Sequence, residues 1–289
     1  MSELNYNKKH KDSLFRRIFS DKKELLELYN AVNKSAYTNY EDLKITTLED
    51  AVYMHMKNDL SFLLYSEVNL YEHQSTYNPN MPLRGLFYLA EIYSAYISTG
   101  SYDIYSEQRI ELPLPQYIIF YNGTRDEEEK RTFRLSDSFP ASADKKACLE
   151  CEAIHLNINS GHNKELMSKC RKLYEYSEFI HTIRRIHSEG TGWQEAVDSA
   201  VEYCINHDIL KDFLVKNRAE VQQVILYEYD EALHMKTERQ LGREEGMDRQ
   251  MVASIERIMV ALGIGLQEAC DILGTNVETY YEAKRLGRG

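Results

Sequence analysis

Apolar positions along this chain follow two regimes. Up to about residue 160, helical spacing alternates with short strand-like runs; from His162 onward the spacing is helical throughout. Asp12-Ser13 opens a helix with Leu14, Phe15, Ile18 and Phe19 on one face. Ser20-Asp21 caps a second, with Leu25, Leu26, Leu28, Tyr29 and Val32 apolar. After a loop at Tyr37–Asp42, Lys44–Leu48 and Val52–Met56 have strand composition. Leu60–Leu64 is a nearly continuous apolar run, as in a strand buried on both faces. The stretch beyond it alternates: Val68, Leu70, Glu72 and Gln74 share one face, and Asn69, Tyr71, His73 and Ser75 the other. A turn centred between Tyr65 and Ser66 places Asp59 opposite Glu72, whereas a slip of one residue sends Asp59 to the other side.

A breaker-rich loop, Ser75–Pro82, leads to a helix over about Leu83–Ser98. Leu83, Leu86, Phe87, Ala90, Tyr93 and Ile97 form its stripe, with Arg84 and Tyr88 just beyond it. Tyr117–Tyr121 reads as a buried strand stopped by Asn122-Gly123, Arg125–Arg134 as a charged surface loop, and Glu152–Asn159 as a further strand. The helical remainder divides into Lys164–Ile186, Trp193–His207 and Leu210–Arg239, a polar hinge at Gly242–Gly246, and short helices at Met251–Leu262, Leu266–Leu273 and Asn276–Leu286. The last two read either as a helix-turn-helix or as a packing or dimerising bundle. The fold class is α/β, in three regions: 1–160, a helical extension at 161–241, and a hinge with a small helical tail at 242–289.

Two carboxylates meeting on a sheet without a basic partner repel each other, and a divalent cation is the usual relief. Asp59, then Glu72-His73-Gln74 at the end of the next strand, resembles the PD-(D/E)XK nuclease signature with Gln in place of Lys. His10–Phe19 and the string from Tyr71-Glu-His-Gln to Met81-Pro-Leu-Arg84 resemble the recombination-promoting nuclease and transposase-like family of that superfamily, over roughly the first 160 residues. The resemblance implies an αβββαβ core and a DNA endonuclease linked to recombination or a mobile element. It implies Mg²⁺ or Mn²⁺ held by Asp59, Glu72 and the main-chain carbonyl of His73, with Gln74 positioning the attacking water. Arg84 and Tyr88 take the place of a Gln-x-x-x-Tyr pair and imply phosphate contact; Arg84 equally suits a salt bridge within the domain. Glu24 and Glu27 are the candidates for an acid from the first helices, or are ordinary solvent-facing residues. Gln74 carries no positive charge, and one such electrostatic contact is worth roughly 10²–10³ in rate. A faster Gln74→Lys variant is therefore expected. The alternative reading is a weakened nuclease fold acting as a DNA- or protein-interaction module through its helical tail.

Composition changes this picture in a few places. A net charge of -11 opposes non-specific nucleic-acid binding. Residues 1–35 nevertheless hold eight Lys/Arg against five Asp/Glu, and residues 164–187 six against three. These are basic patches or solvated helix faces. The 22 tyrosines read as a tyrosine-rich core rim, or more sharply as base-stacking groups. Five cysteines read as reduced thiols. Cys148-Leu-Glu-Cys151 has metal-ligand spacing, but no second pair follows it, which favours packing. No apolar run approaches the ~18–20 residues of a membrane span, and Met-Ser-Glu-Leu-Asn lacks a signal peptide's apolar segment. The expectation is a cytoplasmic protein whose partners are DNA and a second copy bound through the helical C-terminal region.

Overall fold

Ser13 and Asp21 start the two N-terminal helices by accepting from main-chain N–H groups that lack an intrahelical partner. Ser13 Oγ takes Arg16 N at 3.2 Å; Asp21 Oδ1 takes Lys23 N at 2.8 Å and Glu24 N at 3.3 Å. These helices are α1 (Leu14–Phe19) and α2 (Lys22–Asn33) of the computed structural model, which describes residues 13–46, 59–140 and 147–286. The chain divides into two compact units, residues 1–226 and 227–289.

The first unit is mixed α/β. Strands β1 (Lys44–Ile45), β2 (Leu60–Leu64), β3 (Glu67–Gln74), β4 (Leu114–Tyr121), β5 (Lys130–Arg134) and β6 (Glu152–Asn157) form one sheet in the order β1-β2-β3-β4-β6-β5. β1, β2 and β3 run antiparallel; β3, β4 and β6 are parallel; β5 lies antiparallel to β6 at the edge. Helix α3 (Met81–Thr99) is the crossover that the parallel β3–β4 pair requires. Of the expected strand segments between residues 44 and 56, β1 covers Lys44–Ile45, and residues 47–58 lie outside those described. The β2–β3 register runs from Leu64↔Glu67 to Leu60↔Tyr71 around a two-residue turn, with Tyr65 in the left-handed region at φ 53°. One step further along that register, Asp59 faces Glu72.

Alternation then sorts β3 between two layers. Tyr71 and His73 point to the layer of α1, α2 and α5 (Arg171–Ser188), where the Phe15 ring lies 5.2 Å from His73 and Phe120 and 5.6 Å from Tyr176. Leu70 points to α3, in a core with Met81, Tyr88, Tyr117, Ile119 and Cys151. Cys151 is thus a packing residue, and Cys148 is exposed. The stripe expected on α3 is corrected. Met81, Gly85, Tyr88 and Ile92 are buried, while Leu83 and Phe87 are exposed. Gly85 explains the rotation, because a Cβ there would lie 2.2 Å from Tyr117 Cε1. Gly85→Ala should therefore lose about 1–3 kcal/mol to overpacking despite alanine's better helix propensity, read as a lower urea midpoint.

Other expectations also give way. Residues 130–134 are an edge strand and not a loop; Phe133 is buried and basic residues face outward, as edges favour. The single helix expected over Lys164–Ile186 breaks at Cys170 (φ −130°, ψ 97°) into α4 (Lys164–Lys169) and α5. Glu27 Oε1 caps the new start by accepting Arg171 N at 2.8 Å. After α6 (Trp193–Asn206), α7 runs over Lys211–Leu262. Gly242–Gly246, expected as a hinge, is helical; Arg, Glu and Glu between the glycines are strong helix formers. The non-helical residue of α7 is Asn217, whose side chain donates to Phe213 O at 2.9 Å.

The second unit closes with α8 (Leu266–Ile272) and α9 (Val277–Leu286), packed through Ile255, Ala269, Cys270 and Tyr280. No helix among the described residues is long and apolar enough to cross a membrane.

His155 of β6 is buried beside Tyr121 and Phe133, and burial, then Arg131, pushes its imidazole down to about 4. An ordinary unfolded histidine titrates near 6.5. Between those values the unfolded chain binds a proton that the native one does not, so stability falls with falling pH from about 6.5 to about 4. The slope is at most about 1.4 kcal/mol per pH unit from this group. Urea melts at pH 7 and pH 5 should show the fall, and His155→Phe should lessen it, leaving the share of the other buried histidine, His73; an unchanged slope in that variant counts against this origin.

Candidate functional site

The two-residue turn and period-two alternation bring Asp59 and Glu72 together at the end of the β2–β3 pair. Asp59 N donates to Glu72 Oε1 at 3.0 Å, and His73 N donates to Asp59 Oδ2 at 2.7 Å. Glu72 is 3% exposed. Its burial, and then the neighbouring Asp59 carboxylate, hold its carboxyl well above the ordinary range; Arg84 and the Asp59 N–H act against that shift.

Helix α3 delivers the rest. Asn80 precedes its first turn, and Met81, Arg84 and Tyr88 recur on the face turned toward β3. Arg84 Nη2 lies 3.2 Å from Glu72 Oε2 and 2.8 Å from Tyr88 Oη. Burial, then the charge of Glu72, pushes the Tyr88 phenol up to about 12, so it stays protonated at neutral pH. The Gln74 amide is satisfied at both ends when its oxygen accepts Arg84 Nη1 at 3.2 Å and its NH₂ donates to Thr76 O at 3.2 Å. Met81 Sδ, 3.5 Å from Arg84 Nη1, closes the same corner. Gln74 therefore touches the Arg84 guanidinium, which brings a positive charge beside Glu72.

His73 lies on the other face, as the alternation requires. Its Nε2 is 2.8 Å from Tyr176 Oη, and burial, then Arg184, pushes its imidazole down to about 3, so the ring is neutral and structural. Glu24 and Glu27 are not brought to Glu72. Their helix packs on the Tyr71 side of the sheet, where Tyr29 meets Phe62; Glu27 caps α5, and Glu24 is shaped by its burial and by Lys172. Met81 and Tyr117 were not singled out by sequence reasoning. The Tyr117 hydroxyl is buried without a hydrogen-bond partner among the described residues, and nothing in an apolar run marks such a tyrosine.

Among the described residues no group of three or more His, Cys, Asp or Glu side chains is gathered for a metal ion. The pair still fits a hard divalent cation in its chemistry. It offers two carboxylates, one of them facing the Arg84 guanidinium, and Mg²⁺ commonly takes one or two carboxylates and keeps several waters. Among the described residues, several cations of the basic segments are spent on the protein's own acids: Arg17 on Glu220, Lys22 on Glu41, Lys169 on Glu165, Arg185 on Glu189. In the tail, Lys284 is held by Glu256 at 2.6 Å. The tyrosine question divides similarly, for Tyr71, Tyr88, Tyr121 and Tyr176 are core residues.

No protein-family model, curated protein sequence or solved structure matches the chain.

Proposed function

We propose that this protein is a Mg²⁺- or Mn²⁺-dependent DNA endonuclease on a PD-(D/E)XK-type core, linked to recombination or a mobile element. The observation that carries the reading is the Asp59–Glu72 pair, with Arg84 and Tyr88 delivered to it by the next helix. The antiparallel β2–β3 pair, the crossover α3 and the parallel β4 support the core. Asp59 and Glu72 would hold the cation, with the His73 carbonyl as the main-chain ligand. When bound, the metal supplies polarisation of the phosphate and a bound water of lowered pKa. Arg84 has the planar donor set that grips a phosphate oxygen, and Tyr88 Oη holds it from behind. The His73 N–H fixes Asp59, which keeps both carboxylates in place. Gln74 orients Arg84.

The Gln74–Arg84 contact supports the opposite outcome for Gln74→Lys. An ammonium there would face Arg84 Nη1, and like charges ~4 Å apart repel by roughly 4 kcal/mol at an effective dielectric of about 20. Gln74→Lys is therefore expected to nick supercoiled plasmid about tenfold more slowly than wild type. A faster variant would return Gln74 to the water-positioning role.

The reading itself is tested by plasmid nicking with Mg²⁺ or Mn²⁺, wild type beside Glu72→Ala. Metal-dependent nicking that Glu72→Ala abolishes supports it. Cleavage of duplex and single strands at the Glu72→Ala background moves the assignment to an interaction module acting through the helical tail. One observation favours that second reading: the tail exposes Val260 at 85% and Leu262 at 62%, a surface suited to a partner or a second copy.

A further inference from the structure

A cleft of about 670 Å³ opens where the loop after β6 meets α4 and α5, at the sheet edge where parallel β3, β4 and β6 end. Ligands of open α/β sheets bind beyond the carboxyl ends of such strands, and the volume is that of a small-molecule site. Its lining is of three kinds. Met167 and Tyr174 give an apolar and aromatic surface, and Tyr174 is 47% exposed. Lys164 has no ion pair among the described residues, and Arg171 gives only its Nε to Glu175, at 2.6 Å. The cleft's own carboxylate, Glu178, is engaged by Ser160 Oγ at 2.6 Å. Ser177, 2% exposed, lies in the floor with a hydroxyl that has no hydrogen-bond partner among the described residues. Arg171, Tyr174 and Ser177 recur every three residues, so one face of α5 presents a cation, a ring and a hydroxyl in a row.

We propose that this cleft is a nucleoside-phosphate site. Two cations lining a cleft in a chain of net charge -11 select an anion, and an exposed ring in a lining that also holds a methionine selects a planar body. A buried hydroxyl lacking a partner selects a polar group on that body. The phosphate lies on Lys164 and Arg171, the base against Tyr174 and Met167, and Ser177 Oγ receives or gives a hydrogen bond within the cleft. The occupant is a free nucleotide or one unit of a strand.

Calorimetry in EDTA separates this site from the Asp59–Glu72 pair, and the Glu72→Gln variant should bind as wild type does. The probes are thymidine 5′-monophosphate, thymidine, inorganic phosphate and a short oligothymidylate. Saturable binding of the mononucleotide is expected, at least tenfold tighter than thymidine or phosphate alone. It should weaken at least fivefold in both Lys164→Glu and Tyr174→Ala, two exposed positions whose replacement spares the core. Saturation by the oligomer alone, with the same sensitivity to both variants, identifies a strand subsite and equally supports the proposal. Equal affinity for phosphate and the mononucleotide, unchanged affinity in either variant, or no saturation by any probe overturns it.

Discussion

Glu72→Gln is expected to abolish metal-dependent nicking while leaving the fold as stable as wild type in EDTA, or more so. The carboxyl is almost fully buried, and burial together with Asp59 makes its charged form costly. Glutamine keeps the shape and an oxygen to accept the Asp59 N–H, now 3.0 Å from Glu72 Oε1. It loses the ion pair with Arg84, which is partly solvent-facing and compensates for only part of that cost. A neutral side chain is a poor ligand for a hard cation, so activity should fall by about 10³ or more, as for other electrostatic transition-state stabilisers. The stability change should be neutral to favourable, within about 1–2 kcal/mol. Nicking assays and thermal melts in EDTA give the two readouts. Nicking within tenfold of wild type would remove Glu72 from the chemistry. Destabilisation beyond about 2 kcal/mol would make it an anchor for Arg84, held for the fold. Opposite signs in the two assays are what distinguish a functional carboxylate from a structural one.

How legible the site was depends on the range of the forces that build it. The meeting of Asp59 and Glu72 was legible up to the placing of the turn, because a period of two is a local rule; the turn at Tyr65-Ser66 then selects that register over the one shifted by a residue. The place of His73 on the opposite face followed from the same alternation, whereas its neutral ring comes from burial and from Arg184. Arg84 was legible as either a phosphate ligand or an ion-pair partner, but its partner, Glu72 itself, depends on how α3 is rotated. That rotation was misread because leucine and phenylalanine weigh heavily in a helical stripe and glycine weighs nothing. Gly85 nonetheless seats the helix against Tyr117 by lacking a side chain. The break at Cys170 was hidden for a similar reason, since its cap arrives from Glu27, 144 positions away. Charge hid β5, where basic residues at an edge strand look like a loop until the buried Phe133 is placed. Local periodicity thus carried the pair of acids, and long-range packing carried everything that surrounds them.

Arg84→Met is expected to bind Mn²⁺ about tenfold more tightly than wild type while nicking DNA about 10²-fold more slowly. The guanidinium lies 3.2 Å from Glu72 Oε2, an oxygen that a cation at the Asp59–Glu72 pair would also claim. Two cationic groups then compete for one carboxylate, and repulsion at such distances is worth several kcal/mol at an effective dielectric of about 20. Methionine keeps much of the side-chain length and its packing beside Met81 and Tyr88 but leaves Glu72 to the metal. The same substitution removes the group assigned to the phosphate, a loss of roughly 10²–10³ in rate for one stabilising contact. Ground-state metal affinity and turnover should therefore move in opposite directions. Arg84→Lys should fall between wild type and Arg84→Met in both assays, because it keeps the charge and loses the two-pronged fit. Calorimetry with Mn²⁺ on the DNA-free protein, set beside nicking rates, resolves the two effects. Weaker Mn²⁺ binding in Arg84→Met would mean that the guanidinium aligns the Glu72 carboxylate for the metal and does not compete with it. Unchanged nicking would take Arg84 out of the phosphate contact and leave it as the counter-charge of a buried acid.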